Sequence, residues 1–429
     1  MLPVPPTSYS GTERVVACLI EQLCARGHQV TVFASGDSDV PCELVPVIPR
    51  SLWSMGYHGD VGTYINLTLA AGWREAHRFD IIHSHVEVLG FLFARHCPTP
   101  VVTTLHGRLD VSGIPHLLAE FTDIPLVAIS ESQRRFTPDA NWVATIHHGL
   151  DLSPVPFGER PGDYLAFVGR VTPEKGVVEA IEFARRARMP LRMAAKVYDP
   201  EEKVHFEQVV KPAIDEGIVE FLGELPPMER DPVLAGARAT VMLGGWPEPF
   251  GLVAVESMAA GTPVIARRAG ALTETVEHGV SGFLVDDLDE ALLALEKVDA
   301  LDRTEIRRQA IERFAPDRMA GEYEEVYHIL IAQGEREAVD RPGPGPRSRP
   351  RLSRPLHGPP TAPSQRTRLT RIPINPAIAI PVSSRSVPAR DESSQTAGGR
   401  KSPPATTDRL PPGVSAVVTD PKLGRAPRR

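Results

Sequence analysis

Residues 248–266 read EPFGLVAVESMAAGTPVIA, and how the chain is read turns on this stretch. Pro249-Phe250-Gly251 is a turn signal, Leu252 to Ala260 is a run of helix formers, and Gly261 is placed for a left-handed C-terminal cap. Pro263 then opens a buried strand, Val264-Ile265-Ala266. Glu248 falls at the mouth of the helix N-terminus and Glu256 in the second turn beside it. Backbone N–H groups at a helix start lack intrahelical partners and favour a phosphate. A carboxylate in the adjoining turn accepts hydrogen bonds from sugar hydroxyls. Two acids beside an anion site therefore suit a nucleotide-sugar and glycosyl chemistry.

Outward from this stretch, apolar bursts alternate with amphipathic stretches up to about residue 335, the pattern of parallel sheets with crossover helices. Strands are expected at Gln29–Ala34, Asp80–His83, Pro100–Leu105, Pro125–Ile129 and Val143–His147. A second set is expected at Tyr164–Val168, Leu191–Ala195, Val219–Leu222, Ala239–Leu243, Pro263–Ala266 and Phe283–Val285. Pro and Gly cluster between the sets, from Asp151 to Asp163, as in an interdomain hinge. The expected fold class is α/β, with two doubly wound Rossmann-like domains, 1–155 and 160–335, facing a cleft. A disordered tail, 341–429, is expected to follow.

The Glu248–Glu256 spacing resembles the Glu-x7-Glu signature of the family-four retaining glycosyltransferases, which have the two-domain GT-B architecture. PPTSYSGTERVV near the start, VVTTLHGRLD, YLAFVGRVTPEKG and GVSGFLVDD match the same family in order, so the resemblance covers roughly residues 1 to 335. It implies that Arg170 and Lys175 contact the donor diphosphate, that Glu256 accepts hydrogen bonds from ribose hydroxyls, and that Glu248 lies near the transferred sugar. His106 would sit beside the donor sugar and the acceptor. Phe250, Gly251 and Leu252 would offer backbone N–H groups, and Gly11 would bring N–H groups to the diphosphate from the first domain. The final helix, near Pro316 to Ala332, would return toward that domain.

The residues carry part of this independently. Arg170 directly follows a strand and Lys175 opens a helix, where a lone cation is disfavoured unless an anion is near. His106 follows the buried run Val101 to Leu105, at the strand end where open α/β sheets bind ligands. Lys196 ends another strand and is a further candidate nucleotide contact. Departures from the family pattern are Ser10-Gly11 where two glycines are usual, Ala195 where Gly is common, and His148 where Asn is frequent. His83, His85 and His147 carry a weaker signal than His106.

A strand also normally precedes the Gly11 loop and occupies mid-sheet, whereas this chain opens Met1-Leu2-Pro3-Val4-Pro5-Pro6. Prolines at this density exclude a central strand. A start lying upstream is the favoured reading over a damaged first domain, because the helix expected at Thr12–Arg26 keeps its apolar face of Val15, Val16, Leu19 and Leu23.

The charge is divided unevenly. Beyond residue 340 lie 17 of the 47 Lys and Arg, 4 of the 54 Asp and Glu, and 18 of the 43 prolines, so the tail carries +13 and the body −20. Its apolar runs are too short to offset ordering entropy. A solvated extension is the favoured reading; an anchor to an anionic surface and a translation artefact are the alternatives. Cys18, Cys24, Cys42 and Cys97 show no metal-binding or paired spacing and fit reduced thiols. With neither a signal peptide pattern nor a membrane-length apolar run, a cytoplasmic location is expected, with the tail able to touch the inner membrane face.

No metal is expected: Asp286, Asp287 and Asp289 read as helix-start acids, and cations with a helix N-terminus would replace a divalent ion. No cofactor is expected beyond the nucleoside-diphosphate sugar, a donor substrate. The acceptor is a hydroxyl on a glycan, lipid or small molecule, and no nucleic acid partner is expected. The function expected is metal-independent, retaining transfer. Alternatives are a nucleotide-sugar binding protein without transfer and an epimerase or phosphorylase on the same architecture. A dinucleotide oxidoreductase would need a GxGxxG after the first strand, and none is found.

Overall fold

Apolar runs covered on both faces form the strands, and these assemble into two sheets in a computed structural model that describes residues 2–7, 10–57, 61–340 and 416–420. The first sheet uses β1 (Gln29–Ser35), β2 (Glu43–Ile48), β3 (Ile81–Ser84), β4 (Val101–Thr104), β5 (Leu126–Ala128) and β6 (Trp142–Thr145). The second uses β7 (Leu165–Arg170), β8 (Leu191–Lys196), β9 (Val219–Phe221), β10 (Ala239–Met242), β11 (Val264–Arg267) and β12 (Gly282–Val285). A last strand, β13 (Ala416–Asp420), joins the first sheet. This is the expected α/β class.

The second sheet is wholly parallel, in the order β12-β11-β10-β7-β8-β9. The chain leaves β7 in one direction through β8 and β9, then resumes on its other side at β10. Such a reversal opens a crevice beyond the carboxyl ends of the two strands. The loops after β7 and β10 carry Lys175 and Glu248, so the topology alone brings the two motifs together.

The order of the first sheet is β2-β1-β13-β3-β4-β5-β6, with its reversal between β1 and β3. That slot holds β13, antiparallel to both neighbours, with Val418 opposite Thr31 on one side and Ile82 on the other. The opening residues do not occupy it: Leu2 and Val4 are buried in irregular backbone, Val4 bonding Ser38 and Asp39. An empty slot would leave buried N–H and C=O groups of β1 and β3 unpaired, and any strand that pairs with both satisfies them. The rest of the stretch 341–429 lies outside the described residues.

β2 was not expected from the sequence. Its ELVPVI contains Pro46, which argues against a central strand, but β2 pairs only with β1 at the sheet edge, where a proline is tolerated. Residues 155–158 of the linker are fastened to the second domain: the Gly158 N–H donates to the Ala260 carbonyl at 2.9 Å and Arg307 to the Val155 carbonyl at 2.9 Å.

The closing helix, Pro316–Asp340, runs past its expected end and packs on the first sheet. Tyr323 meets the Thr104 hydroxyl at 2.9 Å, Tyr327 meets His83 Nδ1 at 2.7 Å, and Arg26 reaches Asp317 at 2.6 Å. Among the described residues no helix is long and apolar enough to cross a membrane. All four cysteines carry free thiols.

Candidate active site

Gly251 has φ +86°, a left-handed value that lets the EPFG turn end abruptly and the Leu252–Ala259 helix begin. The turn is braced by a second glycine. Gly270 has φ +59°, and a Cβ there would lie 2.3 Å from the Glu248 nitrogen, while the neighbouring Ala271 N–H donates to the Glu248 carbonyl at 2.8 Å. Gly270→Ala should therefore push the Glu248 segment aside and lower turnover at least tenfold, with strain of roughly 1–3 kcal/mol read as a fall in Tm. Unchanged turnover in a steady-state assay would show that the placement of Glu248 does not matter.

The Glu248 side chain points to Lys175, whose ammonium donates to both carboxylate oxygens at 2.8 and 3.1 Å. Lys175 also lies 4.2 Å from the centre of the Trp246 ring, over which Arg108 of the first domain sits at 5.0 Å. Thus the cation and carboxylate predicted from separate motifs form one unit, with an aromatic face that the sequence reading did not identify.

Glu256 is fully buried, as is nearly every residue of its helix. A buried carboxylate needs counter-charge. It receives Arg14, from the Gly11–Ala25 helix of the first domain, and Arg230 at 3.1 Å. Among the described residues its Oε2 has no partner. Gly11 begins that first-domain helix, and a Cβ on it would lie 2.7 Å from Leu252 Cδ1. Two helix N-termini therefore meet across the cleft, neither of them closed by a hydrogen bond from its N-cap side chain. Phe250 is buried against His148, with ring centres 4.7 Å apart.

Arg170 and Lys196 are already engaged. The guanidinium of Arg170 holds Asp199 at 3.1 Å and Glu202, beside a cavity of about 530 Å³ bounded also by Thr172 and His205. Lys196 reaches Glu224 at 3.1 Å and lies over Trp53 at 4.5 Å, Trp53 itself facing Tyr198 at 5.4 Å. Asp287 caps the Leu288–Leu295 helix, Asp289 pairs with Arg186, and Asp286 pairs with Arg268.

His106 joins a histidine stack built on β3 and β4. Its Nε2 meets His85 Nδ1 at 3.0 Å, and its ring stacks on His148 at 5.2 Å. His83 lies 3.9 Å from His85, centre to centre, and is bonded at both nitrogens, to Tyr327 and Thr104. Burial holds all four rings neutral: His83 and His106 are pushed down to about 3, and His85 and His148 well below the usual value. Among the described residues His106 Nδ1 has no partner. The His106 backbone N–H donates to Glu87 at 2.9 Å, and burial raises that carboxyl to about 7. Glu87 has φ +52°, an uncommon left-handed value for a residue other than glycine.

Two family models match the chain, Glycosyltransferase Family 4 over residues 9–154 and Glycosyl transferases group 1 over residues 158–317. A D-inositol 3-phosphate glycosyltransferase of Frankia alni is 31% identical over 357 residues, covering 70% of this chain and 87% of its own. The chain belongs to glycosyltransferase family four. The Mycolicibacterium smegmatis protein of the same name is 28% identical over 331 residues, covering 66% of this chain and 76% of its own. Among solved structures, a glycosyltransferase involved in avilamycin A biosynthesis superposes with a TM-score of 0.58 at 25% identity, covering 77% of this chain and 93% of its own. Anabaena HepE in complex with UDP-glucose superposes with a TM-score of 0.58 at 20% identity, covering 75% and 96%. The GT-B architecture follows.

Within this family-four site, sequence reasoning missed Arg14, Glu87, Trp246 and Arg230. Arg14 had a signal: a cation in the first turns of a helix opposes the macrodipole and implies a nearby acid. Glu87 had none, since its backbone conformation is invisible in the sequence.

Proposed function

We propose that this family-four glycosyltransferase moves a sugar from a nucleoside diphosphate to an acceptor hydroxyl, with retention of configuration and without a divalent metal. The observation that carries the reading is the Lys175–Glu248 unit beside the converging N-termini at Gly11 and Gly251, with an unpartnered oxygen of Glu256 nearby. Lys175 and the helix N–H groups would take the charge of the departing diphosphate, as preorganised donors do. Arg170 would exchange Asp199 and Glu202 for the same group. The acceptor hydroxyl would attack from the face the diphosphate leaves, giving it the proton, and neutral His106 would hydrogen-bond the sugar through Nδ1.

Glu248 would bind the sugar rather than attack it, because its carboxylate is already neutralised by Lys175. A retaining glycosidase instead uses such a carboxylate as nucleophile. E248Q should keep measurable transfer and form no covalent sugar adduct in intact-mass analysis. An adduct on the wild type that E248Q lacks would reverse this assignment.

UDP-glucose is the first donor to try, since HepE binds it. Inositol 3-phosphate is the first acceptor to try, given the name of the relatives. An NMR assay would follow nucleotide release and the anomeric configuration of the product, with and without EDTA. Product inversion would remove retention, and loss of activity in EDTA would remove metal independence. If UDP-, GDP- and ADP-sugars all bind without any transfer across glycan, lipid and polyol acceptors, a binding protein becomes the better reading.

A further inference from the structure

The two oxygens of Glu256 have different fates. Oε1 receives guanidinium groups from both sides of the cleft, Arg14 from the first domain and Arg230 from the second. Oε2 is buried without a partner among the described residues. Arg230 also binds Asp231 at 2.9 Å through Nε, so its charge is shared between two carboxylates. Arg14 brings the additional cation that balances the pair. It stands near the N-terminus of its helix, four residues in, where the macrodipole disfavours it and Glu256 repays it.

We infer that Arg14 is a positioning residue for the donor nucleoside: from the opposite domain it fixes Oε1 of Glu256, leaves Oε2 for the nucleoside hydroxyls, and so makes donor affinity depend on a contact made across the cleft. The inference rests on the nucleoside-diphosphate-sugar reading of the site. A carboxylate buried this deeply is held in one orientation only while its cations are in place. Without Arg14 the chain would keep every residue expected to touch the nucleotide, Gly11 of the first domain included, yet it would present Glu256 less well. An effect on nucleotide affinity from a first-domain residue is therefore the signature.

The test is calorimetric titration of the full chain with UDP and with GDP, for wild type, R14M, R14K, E256Q and R14M/E256Q. R14M should weaken binding of the preferred nucleotide about tenfold or more, the loss of a close charge pair. R14K should recover part of the loss. The double variant should bind no more weakly than E256Q alone, because both changes break one interaction. R14M binding within about twofold of wild type, or fully additive losses, would overturn the inference and leave the site reading standing. Wild-type chain that binds neither of these nucleotides, nor ADP, would overturn both. Tm of each variant without nucleotide separates positioning from a fold defect: R14M and R14K should melt cooperatively while differing in nucleotide affinity. If R14M fails to fold, R14Q takes its place in each comparison.

Discussion

Replacing Lys175 by methionine is expected to lower kcat by about two to three orders of magnitude, the range seen when one preorganised donor to a developing negative charge is removed. The size follows from what the ammonium does in the cleft. It is the counter-charge of Glu248, held at 2.8 Å, and it faces Trp246 on its other side, so its position is fixed before any ligand arrives. Methionine keeps much of the stem and leaves a carboxylate with only 15% of its side chain exposed beside the incoming diphosphate. That carboxylate would now repel the group that Lys175 was attracting.

The companion experiment is K175M/E248Q, which removes both charges. If Lys175 acts on the leaving diphosphate, the double variant stays far below wild type, because neutralising Glu248 restores no cation. If Lys175 serves only to neutralise Glu248, E248Q should rescue K175M to nearly the activity of E248Q alone. Rates measured at saturating donor, with Tm values confirming folded protein, distinguish the two. K175M within tenfold of wild-type kcat would end the assignment outright.

Much of this arrangement is legible in the residues, because motif and topology agree. β7 ends in Gly169-Arg170 and β10 in Val241-Met242, each followed by a loop with a chemically distinctive residue, so recognising two parallel strands at a reversal is enough to bring Lys175 to Glu248. The partners of Arg170 and Lys196 are less accessible. Both were expected at the nucleotide from their strand-end positions, and both have acids supplied by later loops, Asp199, Glu202 and Glu224, whose approach depends on tertiary packing. β2 escaped for a local reason, its proline, and β13 for a compositional one, since AVVTD is embedded in a Pro- and Arg-rich stretch. The histidine stack escaped because its members come from three separate loops and strands. His83, His85, His106 and His148 are individually ordinary residues, and only the register of β3 and β4, with the 147–149 segment beside them, stacks their rings.

That stack gives the second large effect. Stability is expected to fall steeply between pH 7 and pH 5. In the unfolded chain each histidine protonates near pH 6.5, whereas in the folded chain His83 and His106 wait until about 3 and His85 and His148 are also held far down by burial. Between those values the unfolded state binds more protons, so stability is full above pH 6.5 and is lost as pH falls below it. At pH 5 His83 and His106 each contribute a loss of about 2 kcal/mol, and His85 and His148 add to it in the same direction. Glu87 acts in the opposite sense: raised to about 7, it is protonated in the folded state first, so it adds stability as pH falls from 7 toward 4.5. Glu13, Glu202 and Asp231, also raised by burial, add smaller offsets in the same direction. Four rings outweigh these groups, and a net loss of several kcal/mol corresponds to a drop in Tm of roughly 10 °C or more. His148→Asn removes one titrating ring from the stack while keeping a polar side chain of similar reach, and it should flatten the decline. A Tm that stays level from pH 7 to pH 5, or an identical decline in H148N, would mean that these rings are hydrated and free to protonate in the folded protein. His106 could then act as a charged group in the cleft, and its assignment as a neutral hydrogen-bonding partner of the sugar would fall with the prediction.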